Sequence, residues 1–335
     1  MRYASVLFHQ QQRDEMFSPG PGANGGGLYF PFRRLREVFL ENGVQLCTPD
    51  RNVGRPVAFE LHINARKRLP DVPCYAYLWE HPVIRPINGN HAQLARYRQC
   101  FTWNTSLVDG RRIHDVAIPN NLRQQPSPGF AERDLFCVVI AGNRALRSPH
   151  PADLHGARLR LMRWFEQHAP EDFALYGLGW DRPTKKASVF SRMMSRIYTW
   201  PGMQRHRGEF STWKGPVESK DQVLRRAKFS LCYENLRGGP GYITEKLWDC
   251  WLYGCVPVYV GASDIAQRVP TDCFISGDAY TEPQALHDAL KRISADEFAW
   301  RRERVAAFLR SPQAQPYDDE HFCRSLQRHI SRDMG

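Results

Sequence analysis

Residues 228–265, KFSLCYENLRGGPGYITEKLWDCWLYGCVPVYVGASDI, gather the side chains of this chain best suited to holding a phosphorylated ligand. The turn Arg237-Gly238-Gly239-Pro240-Gly241 lets the backbone approach a ligand closely and aim its amides at it. A helix expected to begin near Tyr242 turns its positive end toward whatever the turn holds, which suits a diphosphate. Lys246, one turn in, adds a full positive charge, and Glu245 can accept hydrogen bonds from sugar or ribose hydroxyls. Ile243, Leu247 and Trp251 recur at i, i+4 and i+8 and form the stripe such a helix buries. The same residues equally fit a plain strand–helix–strand unit whose Glu245 and Lys246 are solvated, and spacing alone does not choose.

The elements that must position these residues alternate along the chain. Strands are predicted at 135–141, 173–176, 229–233, 256–260 and 273–275, and helices at 155–168, 219–227, 282–293, 296–309 and 319–330. The first part has predicted strands at 4–9, 44–47, 57–63, 74–80 and 100–103, the fourth of them ending on the carboxylate of Glu80. A helix at 32–42, stopped by Gly43, and a helical stretch at 91–98 lie among them. The polar, proline-rich NNLRQQPSPGF at 120–130 divides the chain into 1–128 and 129–335, with the closing helices in the second part. Such alternation predicts an α/β protein with parallel sheets covered by helices on both faces. Two such domains are expected to meet at a cleft facing the carboxyl ends of their strands, where ligands bind.

With 335 residues, 42% hydrophobic and 24% charged, the composition is that of a globular protein rather than a disordered one. No apolar run approaches the ~18 residues a membrane span needs. The apolar stretch in MRYASVLFHQQQ is too short for a signal peptide, which leaves a mature start or a cytoplasmic protein. The nine cysteines are odd in number, scattered and never C-x-x-C, which favours the cytoplasm and argues against zinc. A net charge of +11 calls for a negatively charged partner, and nucleic acid, an anionic membrane surface and a phosphorylated small molecule all qualify.

The blocks Y-E-N at 233–235, G-Y-I-T-E-K at 241–246, G-C-V-P-V-Y-V-G-A at 254–262 and C-F-I at 273–275 together resemble the signature of glycosyltransferase family 10, the α-1,3/α-1,4-fucosyltransferases. That resemblance implies the GT-B fold, two Rossmann-like domains facing a central cleft, with the donor nucleotide mainly on the second. It implies inverting transfer of L-fucose from GDP-β-L-fucose to a hydroxyl of a glycan acceptor containing GlcNAc, as in protein or lipopolysaccharide glycosylation. The segment 140–168 resembles the family's donor region, which assigns Asn143 and Arg158 to the donor, Arg158 on its diphosphate. By the same resemblance Glu234, Asn235, Tyr242, Glu245 and Lys246 are donor contacts. LWEHPVIRP at 78–86 resembles the stretch that carries the proposed base, which maps to Glu80. Arg158 and Lys246 would then offset the charge on the leaving diphosphate. The chain has no D-x-D carboxylate pair, in keeping with chemistry that requires no metal or other cofactor. Without the resemblance, Glu80 fits equally well as a loop carboxylate paired with Arg85 or His81. Likewise, Arg158 fits a surface helix shared with Arg160 and Arg163. Animal family members of the Golgi carry a membrane anchor; this chain looks more like a bacterial, cytoplasmic enzyme.

Other signals compete. Gly20-Pro-Gly22-Ala-Asn-Gly25 satisfies G-x-G-x-x-G, with Asp50 where a ribose-binding acid would stand. However, polar residues separate it from its strand, and a loop on the acceptor side fits better. Residues 184–208 are basic and dotted with apolar side chains, which leaves three readings open: docking at the inner face of a membrane carrying lipid-linked acceptors, an RNA patch, or an ordinary amphipathic insertion. Three rival functions remain: a family 10-like transferase using another nucleotide sugar, a degenerate donor-binding protein without catalysis, and a nucleic-acid-binding Rossmann-like protein. The last predicts aromatics on an exposed sheet face, whereas those here lie mostly within apolar runs.

Overall fold

In the computed structural model, which describes residues 1–8, 12–18, 29–146, 148–181 and 210–335, every named strand pairs parallel with its neighbours. Two units result. The first comprises Met1–Leu122, Gly239–Tyr242 and Ser311–Gly335; the second comprises Arg123–Gly238 and Ile243–Arg310. The first sheet holds β1 (Arg2–Leu7), β2 (Val44–Cys47), β3 (Val57–Ile63), β4 (Cys74–Leu78), β5 (Gln99–Thr102) and β6 (Ile113–Asp115) in the order β2-β1-β3-β4-β5-β6. The second holds β7 (Leu135–Ile140), β8 (Phe173–Tyr176), β9 (Ala227–Tyr233), β10 (Val256–Val260) and β11 (Ile275–Ser276) in the order β11-β10-β9-β7-β8. Numbered from its own first strand, each sheet runs 2-1-3-4-5, the first adding one edge strand. A doubly wound sheet of this order binds ligands beyond the carboxyl ends of the two strands where the order reverses. Those strands are β1 and β3 in the first unit, β7 and β9 in the second.

Strands buried on both faces have to be apolar throughout, and β4 shows how. Tyr75 and Tyr77 join the core on one face, while Cys74, Ala76 and Leu78 join a smaller cluster on the other. Four helices bear on the sites: α1 (Phe30–Glu41), α2 (His155–His168), α3 (Glu245–Leu252) and α4 (Asp319–Met334). The expected division into 1–128 and 129–335 needs correction at the C-terminus, because α4 belongs to the first unit. Its Phe322, Cys323, Leu326 and Ile330 enter the first core, with the Phe322 ring 4.9 Å from that of Tyr77. Arg34 on α1 grips Glu320 through Nε at 2.5 Å and Nη2 at 3.1 Å. Nothing in an amphipathic stripe says which sheet it covers, so chain proximity misled. The Gly20–Gly25 motif and residues 184–208 lie outside the described residues. Asp50 is described, and its carboxylate accepts from the backbone N–H of Arg13 at 2.9 Å.

Candidate functional site

In the second unit the switch point lies where β7 runs out into Asn143 and β9 into Glu234 and Asn235. The segment after β9 is held against the approach to α2. Leu236 bridges Asp153, the Arg237 N–H donates to Ala152 O at 2.7 Å, and Asn235 O accepts from Leu154 N at 3.1 Å. That pairing brings the first turn of α2 to the switch point. On α2 the buried residues are Arg158, Leu161, Met162 and Phe165, at i, i+3, i+4 and i+7. Arg158 therefore occupies a slot that the helix pattern would give to an apolar residue. It is 5% exposed, whereas Arg160 is exposed and Arg163 stacks on Phe210. The surface-helix alternative for Arg158 is thus corrected. Among the described residues its guanidinium makes no hydrogen bond or ion pair. Burial pushes it down to about 10, which leaves it cationic at neutral pH. The charges of Asp153 and Glu234 offset only part of that burial, so a cation at this position is unexplained by packing.

Glu234 is wholly buried, and both of its oxygens are committed. Oε1 accepts from the Thr244 N–H at 2.8 Å, and Oε2 accepts from Thr244 Oγ1 at 2.7 Å and Lys246 Nζ at 3.1 Å. Thr244 is the extended N-cap residue of α3 but makes no side-chain cap of its own, so Glu234 supplies the anion for the helix start. Gly261 leaves the room: a Cβ there would come within 2.4 Å of Glu234 Cγ. Two expectations change here. The helix starts at Glu245, not near Tyr242, and the N–H of its N-cap residue Thr244 is taken by an internal carboxylate rather than left for a ligand. The turn amides are also partly spent on the protein, with Gly238 (φ +86) donating to Gly261 O at 3.0 Å and Tyr242 to Gly239 O at 3.0 Å.

Lys246 keeps 21% exposure and can serve both Glu234 and a ligand. Burial opposes its charge, but Glu234 and Glu245 outweigh burial and hold the ammonium above its ordinary value. Arg158, Lys246, Lys220 and Asp249 line one recess with Ile140 and Tyr233, the ends of the switch-point strands. Lys220 Nζ sits 2.5 Å from Asp249 Oδ2 and 3.7 Å from Glu245 Oε1. The Glu245 side chain is 49% exposed; desolvation opposes its ionisation, yet Lys246 and Lys220 bring the carboxyl down to about 2. Asn143 is half-buried and anchored through Nδ2 to Gly179 O at 2.9 Å. Arg158, Glu234, Lys246 and Glu245 thus come together at one switch point, with Asn143 and Asn235 on its strand ends. Lys220, Thr244 and Asp249 were missed by sequence reasoning. An N-cap rule picks out Thr244, but no spacing rule joins Lys220 to Asp249.

Tyr242 departs from this group. Its segment belongs to the first unit, where its ring is 3% exposed and lies 4.7 Å from Trp103 and 5.6 Å from His81. Glu80, half-buried, follows β4 by two residues, and buried amides fix its backbone. Asn64 Oδ1 accepts from Glu80 N and from Asn88 Nδ2, each at 2.7 Å. Asn88 Nδ2 also donates to Glu80 O at 2.8 Å, and Asn88 Oδ1 accepts from Ala65 N at 2.9 Å. Asn64 stands in the left-handed region (φ +73) just past β3, at the switch point of the first sheet. Of the alternative partners for Glu80, Arg85 Nη2 donates to Ala65 O at 3.1 Å and His81 Nδ1 accepts from Val83 N at 3.1 Å.

Residues 193–333 match the family model for glycosyltransferase family 10 (fucosyltransferase), C-term. The alpha-(1,3)-fucosyltransferase FucT of Helicobacter pylori is 35% identical over 84 residues, 25% of this chain and 17% of that protein. The bovine 4-galactosyl-N-acetylglucosaminide 3-alpha-L-fucosyltransferase 9 is 33% identical over 104 residues, 29% of this chain and 28% of that one. An alpha-(1,4)-fucosyltransferase of Arabidopsis thaliana is 37% identical over 86 residues, 24% of this chain and 21% of that one. The chain thus covers less than a third of the length of each. A solved alpha1,3-fucosyltransferase with GDP aligns over 99% of this chain and 90% of its own at TM-score 0.54 and 13% identity. One with GDP-fucose aligns over 100% and 90% at TM-score 0.50 and 12% identity. At such identities the likeness is one of fold, and the fold is GT-B.

Proposed function

Because residues 193–333 match the family model for glycosyltransferase family 10, we propose that the chain moves L-fucose from GDP-β-L-fucose to a hydroxyl of a glycan acceptor, inverting the anomeric carbon to give an α-1,3 or α-1,4 linkage. The observation that carries this reading is Arg158, a buried cation without a partner among the described residues, lining the same recess as Lys246. A diphosphate there turns a costly charge into a charge-assisted, bidentate contact.

In the proposed reaction Glu80 takes the proton of the acceptor hydroxyl as its oxygen attacks the anomeric carbon. The bond from that carbon to the diphosphate oxygen breaks on the opposite face, and the electron pair leaves with GDP. Arg158 and Lys246 hold the charge that develops on the diphosphate, so no divalent ion is assigned a role. Glu245, exposed at the start of α3, accepts from ribose or sugar hydroxyls, and Asn143 and Asn235 border the donor on the strand ends. Glu234 acts one step back, fixing Thr244 and Lys246. Tyr242, packed on Trp103 and His81, is assigned to shaping the turn.

The test offers purified protein GDP-fucose, GDP-mannose and UDP-galactose with free and lipid-linked glycan acceptors and measures nucleotide release, with and without EDTA. Acceptor-dependent release from GDP-fucose alone, unchanged by EDTA, is the expected outcome. Release only from another donor sinks the fucose assignment and leaves the family 10-like alternative standing.

A further inference from the structure

On the first sheet, one group of side chains has no part in the proposed transfer. Glu60 and His62 stand at i and i+2 on β3 and so point to one face, and Cys74 on β4 is the register partner of Glu60. The carboxylate oxygen, the imidazole nitrogen and the thiol sulfur all lie within 4.8 Å of one another. We propose that Glu60, His62 and Cys74 form a binding site for a zinc-like divalent ion, with a water as fourth ligand.

The surroundings fit that assignment. A tetrahedral site needs its ligand atoms roughly 3.3–3.6 Å apart, so the present His62 Nε2 to Glu60 Oε2 distance of 2.8 Å opens by about half an ångström on binding. His62 is buried, and its other ring nitrogen, Nδ1, lies 2.9 Å from Tyr97 Oη. Metal-ligating histidines almost always have such an outer partner, which fixes the ring and its tautomer. Tyr97 is itself held, because its hydroxyl accepts from the backbone N–H of Arg66 at 2.9 Å. Without metal, the Nε2 proton lies toward Glu60 and Nδ1 accepts from Tyr97. With metal, Nε2 gives its electron pair to the ion and the ring proton moves to Nδ1, facing the Tyr97 oxygen. The Cys74 thiol loses its proton to solvent, so one proton is released per ion bound. A carboxylate and a thiolate then balance the two charges of the ion. Glu60 keeps 16% side-chain exposure, which gives the ion and its water a way in.

The experiment titrates the full-length, metal-stripped chain with zinc against a chromophoric chelator, and in parallel with cobalt(II) while recording its absorption spectrum. One equivalent bound, a thiolate-to-cobalt charge-transfer band and release of one proton are expected. Cys74→Ser should remove the band while the far-UV circular dichroism stays unchanged. Tyr97→Phe should weaken zinc about 10–100-fold by removing the outer partner. Zinc binding no weaker in Cys74→Ser than in the unaltered chain, or cobalt without the band, overturns the proposal, since eight further cysteines are present to give adventitious binding.

Discussion

The two units share one strand order but fix their key residue by opposite means. In the second, a buried carboxylate and a partly exposed ammonium, Glu234 and Lys246, hold the start of α3 through charge. In the first, two neutral amides, Asn64 and Asn88, hold the backbone of Glu80 without any charge. The difference follows from what each site is proposed to meet. A diphosphate demands positive groups, and these must be oriented by negative ones that do not compete for the ligand; Glu234 meets that need by being wholly buried. In the first unit the proposed base is oriented through its backbone by amides that do not themselves titrate.

The largest effect should come from Glu80→Gln. If Glu80 is the base, turnover falls by about 10²–10⁴-fold while GDP binding, measured by calorimetry, is unchanged. Full activity in this variant breaks the division of labour between the units. Next comes Arg158→Met, for which kcat/KM should fall about 10²–10³-fold. Because Arg158 has no partner among the described residues to strand, and its slot on α2 is one for an apolar residue, the melting temperature should hold or rise. A drop in melting temperature with activity retained would mean the guanidinium serves the fold instead. Glu234→Gln should act the other way. It leaves Lys246 and the Thr244 hydroxyl without their anion, at roughly 3 kcal/mol, the low end because Lys246 is 21% exposed. Denaturant unfolding should show that loss, and weaker GDP binding should accompany it.

Much of this fold was legible because parallel strands buried on both faces must be continuously apolar. The predicted strands at 44–47, 57–63, 173–176 and 256–260 and the helix at 155–168 match the observed bounds. β6, the three residues Ile-His-Asp, carries no such run and was not predicted. At the site, residue identity was legible but orientation was not. A Glu at the end of β9 can face a ligand or, as here, turn inward to Thr244, and only the space left by Gly261 decides. Arg158 looked like a surface residue because neighbouring arginines mask a buried stripe that is otherwise regular. Asn64 and Asn88 carry turn-forming side chains, and no local pattern shows that they meet each other across the intervening strand β4. C-x-x-C spacing is equally local, so it says nothing about side chains such as Glu60 and Cys74 that adjacent strands bring together.

The smallest predicted effect separates the two scaffolds by pH. The folded-state value of Glu245, about 2, lies below its ordinary 4.5, held there by Lys246 and Lys220 against desolvation. A depressed carboxyl stabilises the fold above its unfolded value, and that stabilisation is lost as pH falls through the folded value. The melting-temperature gap between the unaltered chain and Glu245→Gln should therefore be constant above about pH 5 and close as pH falls toward about 2. With half of the side chain in solvent, the gap itself should be small. A matching comparison in the first unit, Asn88→Ala against the unaltered chain, should show a gap that does not change over the same range, because amides do not titrate. A gap for Asn88→Ala that closes in acid would mean a charge underlies the Glu80 scaffold as well, and the contrast between the units would fail.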